Sequence, residues 1–97
     1  MSRRCGGTTD PQEATPEIQQ LADQLKGDLE LRIKKTFHHY VAETYATQVV
    51  AGLNYFIKVS VDNHEYIHLR VFKGLDQQIL LHSYQDGKSA MDPLVYF

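Results

Sequence analysis

With 97 residues, 42% of them hydrophobic and 23% charged, the chain has the length of one domain and an ordinary globular composition. Its net charge of −2 leaves no basic excess for phosphates, which argues against a dedicated nucleic-acid binder; Arg3-Arg4 and Lys34-Lys35 read as a solvated tail and a helix end. The one cysteine, Cys5, excludes an internal disulfide, Met1 to Asp10 lack the apolar core of a signal peptide, and no run approaches the ~20 apolar residues of a membrane span, so a soluble protein of a reducing compartment is expected.

Met1 to Ala14 is polar, carries Gly6-Gly7 and Pro11, and has no periodicity, so it is expected to be a mobile N-terminal tail. Thr15-Pro16-Glu17 then marks a helix start: a capping hydroxyl, a proline at the first helical position and an acid near the positive end of the dipole. Apolar residues at Ile18, Leu21, Ala22, Leu25, Leu29 and Ile33 form one stripe on a helix of about five turns. Lys34 and Lys35 fall where cations suit the dipole, and Gly27 weakens the middle by about 1 kcal/mol relative to alanine.

Beyond Phe37 the period becomes two. Tyr40 to Val50 reads as a strand rich in Val, Thr and Tyr. Tyr55, Ile57, Val59 and Val61 alternate with Phe56, Lys58 and Ser60; Asp62-Asn63-His64-Glu65 turns the chain; Ile67, Leu69 and Val71 then alternate with His68, Arg70 and Phe72. This predicts a hairpin with one buried face. A further connection falls near Gly74-Leu75-Asp76-Gln77-Gln78, followed by a strand over Ile79 to Gln85, a turn at Asp86-Gly87 and a short last strand over Leu94 to Phe97. One amphipathic helix followed by antiparallel strands predicts an α+β fold, because neither the helix stripe nor the sheet face can bury itself alone.

Gln48-Val49-Val50-Ala51-Gly52-Leu53-Asn54 joins two strand patterns but lacks ordinary turn chemistry. It reads either as a long strand with a glycine bulge or as a reversal at Val50-Ala51-Gly52, which would put Val49, Val50 and Leu53 near an exposed apolar tip suited to a partner.

Gln48-Val49-Val50-Ala51-Gly52 matches the signature of the cystatin superfamily, and the stretch Gln48 to Lys58 resembles that of the stefins, the type 1 cystatins. Ala14-Thr15-Pro16-Glu17-Ile18-Gln19 resembles the opening of the stefin helix, His68-Leu69-Arg70-Val71-Phe72 a central strand, and Tyr96-Phe97 the C-terminus, while Cys5-Gly6-Gly7 sits where stefins carry their N-terminal glycine. The resemblance implies a cystatin-like fold over residues 1–97, with residues 1–14 a mobile trunk and one long helix packed on a curved antiparallel sheet of four to five strands. It further implies reversible, competitive, tight-binding inhibition of papain-like cysteine proteases of the cathepsin type. The active-site cleft would be occluded by the trunk and two hairpin loops. The implied contacts are Gly6, or Gly7 beside it, in the trunk; Gln48, Val49, Val50, Ala51 and Gly52 in the first hairpin; and Leu75 and Asp76 in the second. Stefins usually place Leu-Pro where this chain has Leu75-Asp76, and its second connection is shorter, which implies weaker binding to proteases with occluded clefts.

Such an inhibitor supplies no nucleophile, acid or base, and the chain shows none in an enzymatic arrangement. Five histidines, His38, His39, His64, His68 and His82, follow no zinc spacing, so no metal or other cofactor is expected. Cys5 lacks a fixed base; Asp23, Asp28 and Glu30 are solvated helix charges; Gly6-Gly7-Thr8-Thr9 is no phosphate loop; the six Tyr and four Phe suit a sheet core. The expected protein is a cytoplasmic monomer, with a domain-swapped dimer through the Val49–Leu53 hinge or a Cys5-linked dimer open to it, and with no nucleic-acid or membrane partner. A non-inhibitory interaction module on the same scaffold is the alternative, favoured by the altered second hairpin.

Overall fold

A computed structural model of the chain describes residues 10–97. Its elements in order are β1 (Gln12–Glu13), α1 (Pro16–Ile33), β2 (Tyr40–Val50), β3 (Gly52–Val61), the 3-10 turn η1 (Asp62–His64), β4 (Tyr66–Lys73) and β5 (Ile79–Lys88). The strands form one antiparallel sheet in the order β1-β2-β3-β4-β5, and α1 packs across it, in line with the α+β fold expected.

The helix begins as its sequence dictates. Thr15 has extended backbone angles and its Oγ1 accepts from the Ile18 N–H at 3.3 Å, while Pro16 loses no hydrogen bond in the first turn. Ile18, Ala22, Leu25 and Leu29 are buried, with Leu21 and Ile33 half-buried beside them. They meet Ile57, Val59 and Val61 of β3, Ile67, Leu69 and Val71 of β4 and Leu81 of β5, the inward members of the alternating runs. Gln19 fixes the helix to β2, donating to the Tyr40 carbonyl at 3.3 Å and accepting from the Ala42 N–H at 2.8 Å. The Tyr40 hydroxyl donates to the Ala22 carbonyl at 2.9 Å; burial, then the nearby Asp23 and Glu30 charges, push its phenol pKa up.

Four expectations need correction. The tail does not stay free up to the helix: Gln12 and Glu13 pair with Tyr45 and Thr44, and the Ala14 N–H donates to the Glu43 carbonyl at 2.9 Å. A bulge at Glu43 of β2 gives this edge its shape, since pairing with β3 steps from Ala42 to Thr44. Asp86-Gly87 is not a turn between strands but an irregularity inside β5, which runs on to Lys88; Gly87 supplies a φ of +68° there, and its N–H donates to the Asp86 carboxylate at 2.8 Å. Leu94 to Phe97 form no strand. They lie as an irregular strap on the sheet face away from the helix, where Tyr96 and Phe97 meet the fully buried Phe56 edge-on, with ring centroids 5.8 and 5.7 Å away. The sheet is therefore buried on both faces at its centre, not on one. Phe56 and His68 interrupt the polar side of the alternation and are both fully buried, Phe56 beneath the rings of the strap. Arg70 closes the strap by donating to the Phe97 carbonyl and stacking on Phe56, and Lys58 donates to the Ala90 carbonyl at 3.0 Å.

Candidate functional site at the hairpin tips

The ambiguous apolar segment is a tight hairpin. Val50 pairs with Gly52 across the β2–β3 ladder, with Ala51 alone at the tip. Val49 and Val50 are 69% and 41% exposed, so the hairpin tip offers β-branched apolar groups to solvent. β-Branched residues hold few rotamers, and ordering them against a partner costs little entropy.

Gly52 permits the reversal and also the approach of the second hairpin. Its φ is +119°, and a Cβ there would lie 2.4 Å from the Lys73 carbonyl oxygen and 3.2 Å from the Gly74 Cα. The second hairpin, joining β4 to β5, is fixed by the Gly74 N–H donating to the Gln78 carbonyl and the Gln77 N–H to the Gly74 carbonyl, both at 2.9 Å. The Asp76 carboxylate accepts from the Gln78 N–H at 3.1 Å, an Asx-type closure of the loop. Leu75 is 79% exposed at the tip. A groove of about 240 Å³ lined by Gly52, Leu53, Lys73, Gly74, Leu75 and Gln77 joins the two hairpins.

Of the residues expected to contact a partner, Val49, Val50, Ala51, Leu75 and Asp76 share this end of the sheet and are exposed. Gly52 is half-buried against the second hairpin. Gln48 is different: it is 5% exposed and lies under the tip, where it accepts a 2.9 Å hydrogen bond from the side chain of Asn54, its cross-strand partner, also 5% exposed. It braces the hairpin from behind. Asn54 was missed by the sequence reading, although Gln48 and Asn54 are symmetric about Ala51, a usable signal for a cross-strand amide pair. Gly6, Gly7 and Cys5 lie outside the described residues. The register of β1 does set a direction: read backwards from Glu13 to Gln12, the chain advances from Thr44 to Tyr45, toward the Val50 tip.

At the opposite end, Asp62 accepts the His38 and His39 backbone N–H groups at 3.0 and 2.7 Å, and these, His38's foremost, hold its carboxyl below the usual carboxylate range. His39 is hydrogen-bonded to Ser60 at 3.1 Å. Among the described residues no three His, Cys, Asp or Glu side chains converge to hold a metal, and no helix is long and apolar enough to cross a membrane.

One long helix on an antiparallel sheet, with two short hairpins forming an apolar edge, is the architecture of a cystatin. Residues 6–90 match the cystatin domain, and the chain belongs to that family. Within it the chain groups with the stefins, the type 1 cystatins. It is 48% identical over 95 residues to cystatin-A of Felis catus, covering 95% of this chain and 97% of that one. Stefin-C of Bos taurus is 46% identical over 95 residues, covering 95% and 94%. Leukocyte cysteine proteinase inhibitor 1 of Sus scrofa is 45% identical over 95 residues, covering 95% and 92%.

Proposed function

We propose that this chain is a reversible, competitive, tight-binding inhibitor of papain-like cysteine proteases of the cathepsin type. The carrying observation is the exposed apolar edge of Val49, Val50 and Leu75 on two hairpins that pack against each other through Gly52. A relative named as a cysteine proteinase inhibitor supports the target class. The hairpins fill the protease cleft and exclude substrate while offering no scissile bond at the catalytic thiol. The N-terminal trunk with Gly6 or Gly7 is the third contact, and the direction of β1 supports its approach from the same end. Preformed hairpins lose little entropy on docking, and a trunk that orders on contact slows dissociation. The protein is not an enzyme, works in the cytoplasm as a monomer, and reaches a swapped dimer only by straightening the loop around Ala51.

Steady-state inhibition of papain by the wild type, beside Val50→Asp, Leu75→Asp and Gly6→Arg variants, tests this. Val50→Asp is expected to weaken inhibition at least ~30-fold, since a central apolar contact is worth about 2 kcal/mol or more. No inhibition by the wild type at micromolar concentration would reject the proposal. That result would favour a second reading, an interaction module without inhibitory activity, for which the charged Asp76 at the second tip is the supporting feature.

A further inference from the structure

Asn54 and Gln48 face each other two residues inboard of the Val50–Gly52 pair, both buried, joined by a side-chain hydrogen bond of 2.9 Å. Burying two amides at the root of a loop is costly unless they are hydrogen-bonded, and the bond between them forms in only one hairpin register. We infer that Asn54 is a positioning residue, acting through Gln48 to hold Val49 and Val50 in a binding-ready geometry; this rests on the proposed inhibitory function. Three variants test it: Asn54→Ala, Gln48→Ala, and the exchanged pair Gln48→Asn with Asn54→Gln. In both alanine variants, amide hydrogen exchange at Val49 and Val50 is expected to quicken at least tenfold with the helix amides unchanged, and dissociation from papain to quicken by a similar factor. The exchanged pair is expected to restore both. Tip exchange unchanged in Asn54→Ala, or no recovery in the exchanged pair, overturns the inference. The exchange readout needs no protease, so it decides even where papain is not inhibited.

His68 carries a second inference independently. It is 0% exposed on the outer face of β4, and neither ring nitrogen has a hydrogen-bond partner. Lys58 of β3 and Gln85 of β5 are its cross-strand partners, Lys88 lies further along β5, Tyr66 and Arg70 flank it on β4, and the charge of Asp92 acts on it from the segment 89–97 that ends in the strap. Burial first, then Lys58 and Lys88, lower its pKa to about 4, against a smaller opposing pull from Asp92. A proton on the ring would turn its acceptor nitrogen into a second buried donor and place a charge among cations. The Gln85 Oε1, itself buried without a partner, could accept one donor but cancels no charge. Asp92 is already engaged, its Oδ2 accepting from the Ser89 N–H at 2.7 Å.

What can yield is the strap. β4 is paired on both sides by β3 and β5, whereas residues 89–97 have no strand pairing and are tied down by Lys58 to Ala90 and Arg70 to Phe97. We propose that protonation of His68 lifts the segment Ser89–Phe97 from the outer face, so that acid conditions uncover Phe56. With an ordinary value of 6.5 once hydrated, the ring raises the opening equilibrium about tenfold per pH unit from 6.5 down to about 4. Proton NMR of the full chain from pH 7.5 to 4 tests this, following Tyr96–Phe56 and Phe97–Phe56 cross-peaks and the His68 ring protons. The strap cross-peaks are expected to fade in that window while β3–β4 amides stay protected, and His68→Leu is expected to keep them down to pH 4. Cross-peaks that persist in the wild type while the His68 ring takes up its proton overturn the proposal, and so does an identical pH profile in His68→Leu.

Discussion

Two glycines show how differently one residue type is used at single-residue scale. Gly27 sits within the helix with nothing outside its own stretch of helix backbone within 4 Å of where a Cβ would be, so it carries the entropic cost of glycine without a structural return. Gly27→Ala is expected to stabilise the protein by about 0.5–1 kcal/mol, read as a higher urea midpoint. Gly52→Ala is expected to do the reverse. Its Cβ would collide with a backbone carbonyl at a φ alanine avoids, costing about 1–3 kcal/mol and pushing the hairpins apart. Thermal unfolding should show a lower Tm for Gly52→Ala, with weaker papain inhibition at temperatures where it is folded. The signature motif made Gly52 visible in the sequence, but the motif is silent on why: the reason is a carbonyl 21 residues further on, at Lys73. For the same reason Gln48 read as a contact. Whether a polar residue beside a tip faces outward or pairs with its cross-strand neighbour depends on register.

Among the elements, the helix was the most legible, because Thr15, Pro16 and the 3–4 spacing from Ile18 to Ile33 are local signals that the fold reinforces. The C-terminal strap was the least. Leu94, Tyr96 and Phe97 carry the same apolar content as a strand, and only the presence of Phe56 on the far sheet face decides that they cover it and do not pair with a strand. Deleting Leu94–Phe97 is expected to cost about 2–4 kcal/mol, since it bares a phenylalanine that is fully buried, and denaturant unfolding would register this. A truncated chain as stable as the wild type would show the strap to be dispensable. The short β1 and the bulges at Glu43 and near Gly87 escaped the sequence reading because two paired residues and one inserted residue leave no periodic trace.

For the whole molecule, stability depends on pH through groups at different places in the fold. His68 has its pKa lowered in the fold, so the unfolded chain takes up the proton first. Stability is full above about 6.5, falls as the pH drops toward about 4, and is flat in this term below that. Asp62 is also lowered, by the His38 and His39 backbone N–H groups, and its stabilisation is lost only as the pH falls below the ordinary carboxylate value of 3.8. Urea midpoints against pH should thus decline in two steps, with His68→Leu removing the upper step and Asp62→Asn shrinking the lower, to which Asp92, held down first by the Ser89 N–H, also contributes. A single step shared by both variants would show that neither assignment holds. Association belongs to this scale too. β2 and β3 meet at Ala51, so we propose that straightening that loop would exchange the helix and β2 between two chains. Size-exclusion after mild heating should show a dimer, and monomer alone after partial unfolding would count against the exchange.

By itself the sequence determined the helix with its capped start and the alternating strands, and left the apolar segment at Ala51 open between a bulge and a reversal. The helix and the strands are written in neighbouring residues, where period and capping chemistry act locally. Tertiary structure alone decided that Gln48 pairs with Asn54 beneath the tip, that Gly52 serves the second hairpin as well as the first, and that the C-terminal segment covers Phe56. Each of those depends on atoms distant along the chain, and burial, which sets the cost of a polar group or the worth of a ring, exists only once the layers have met.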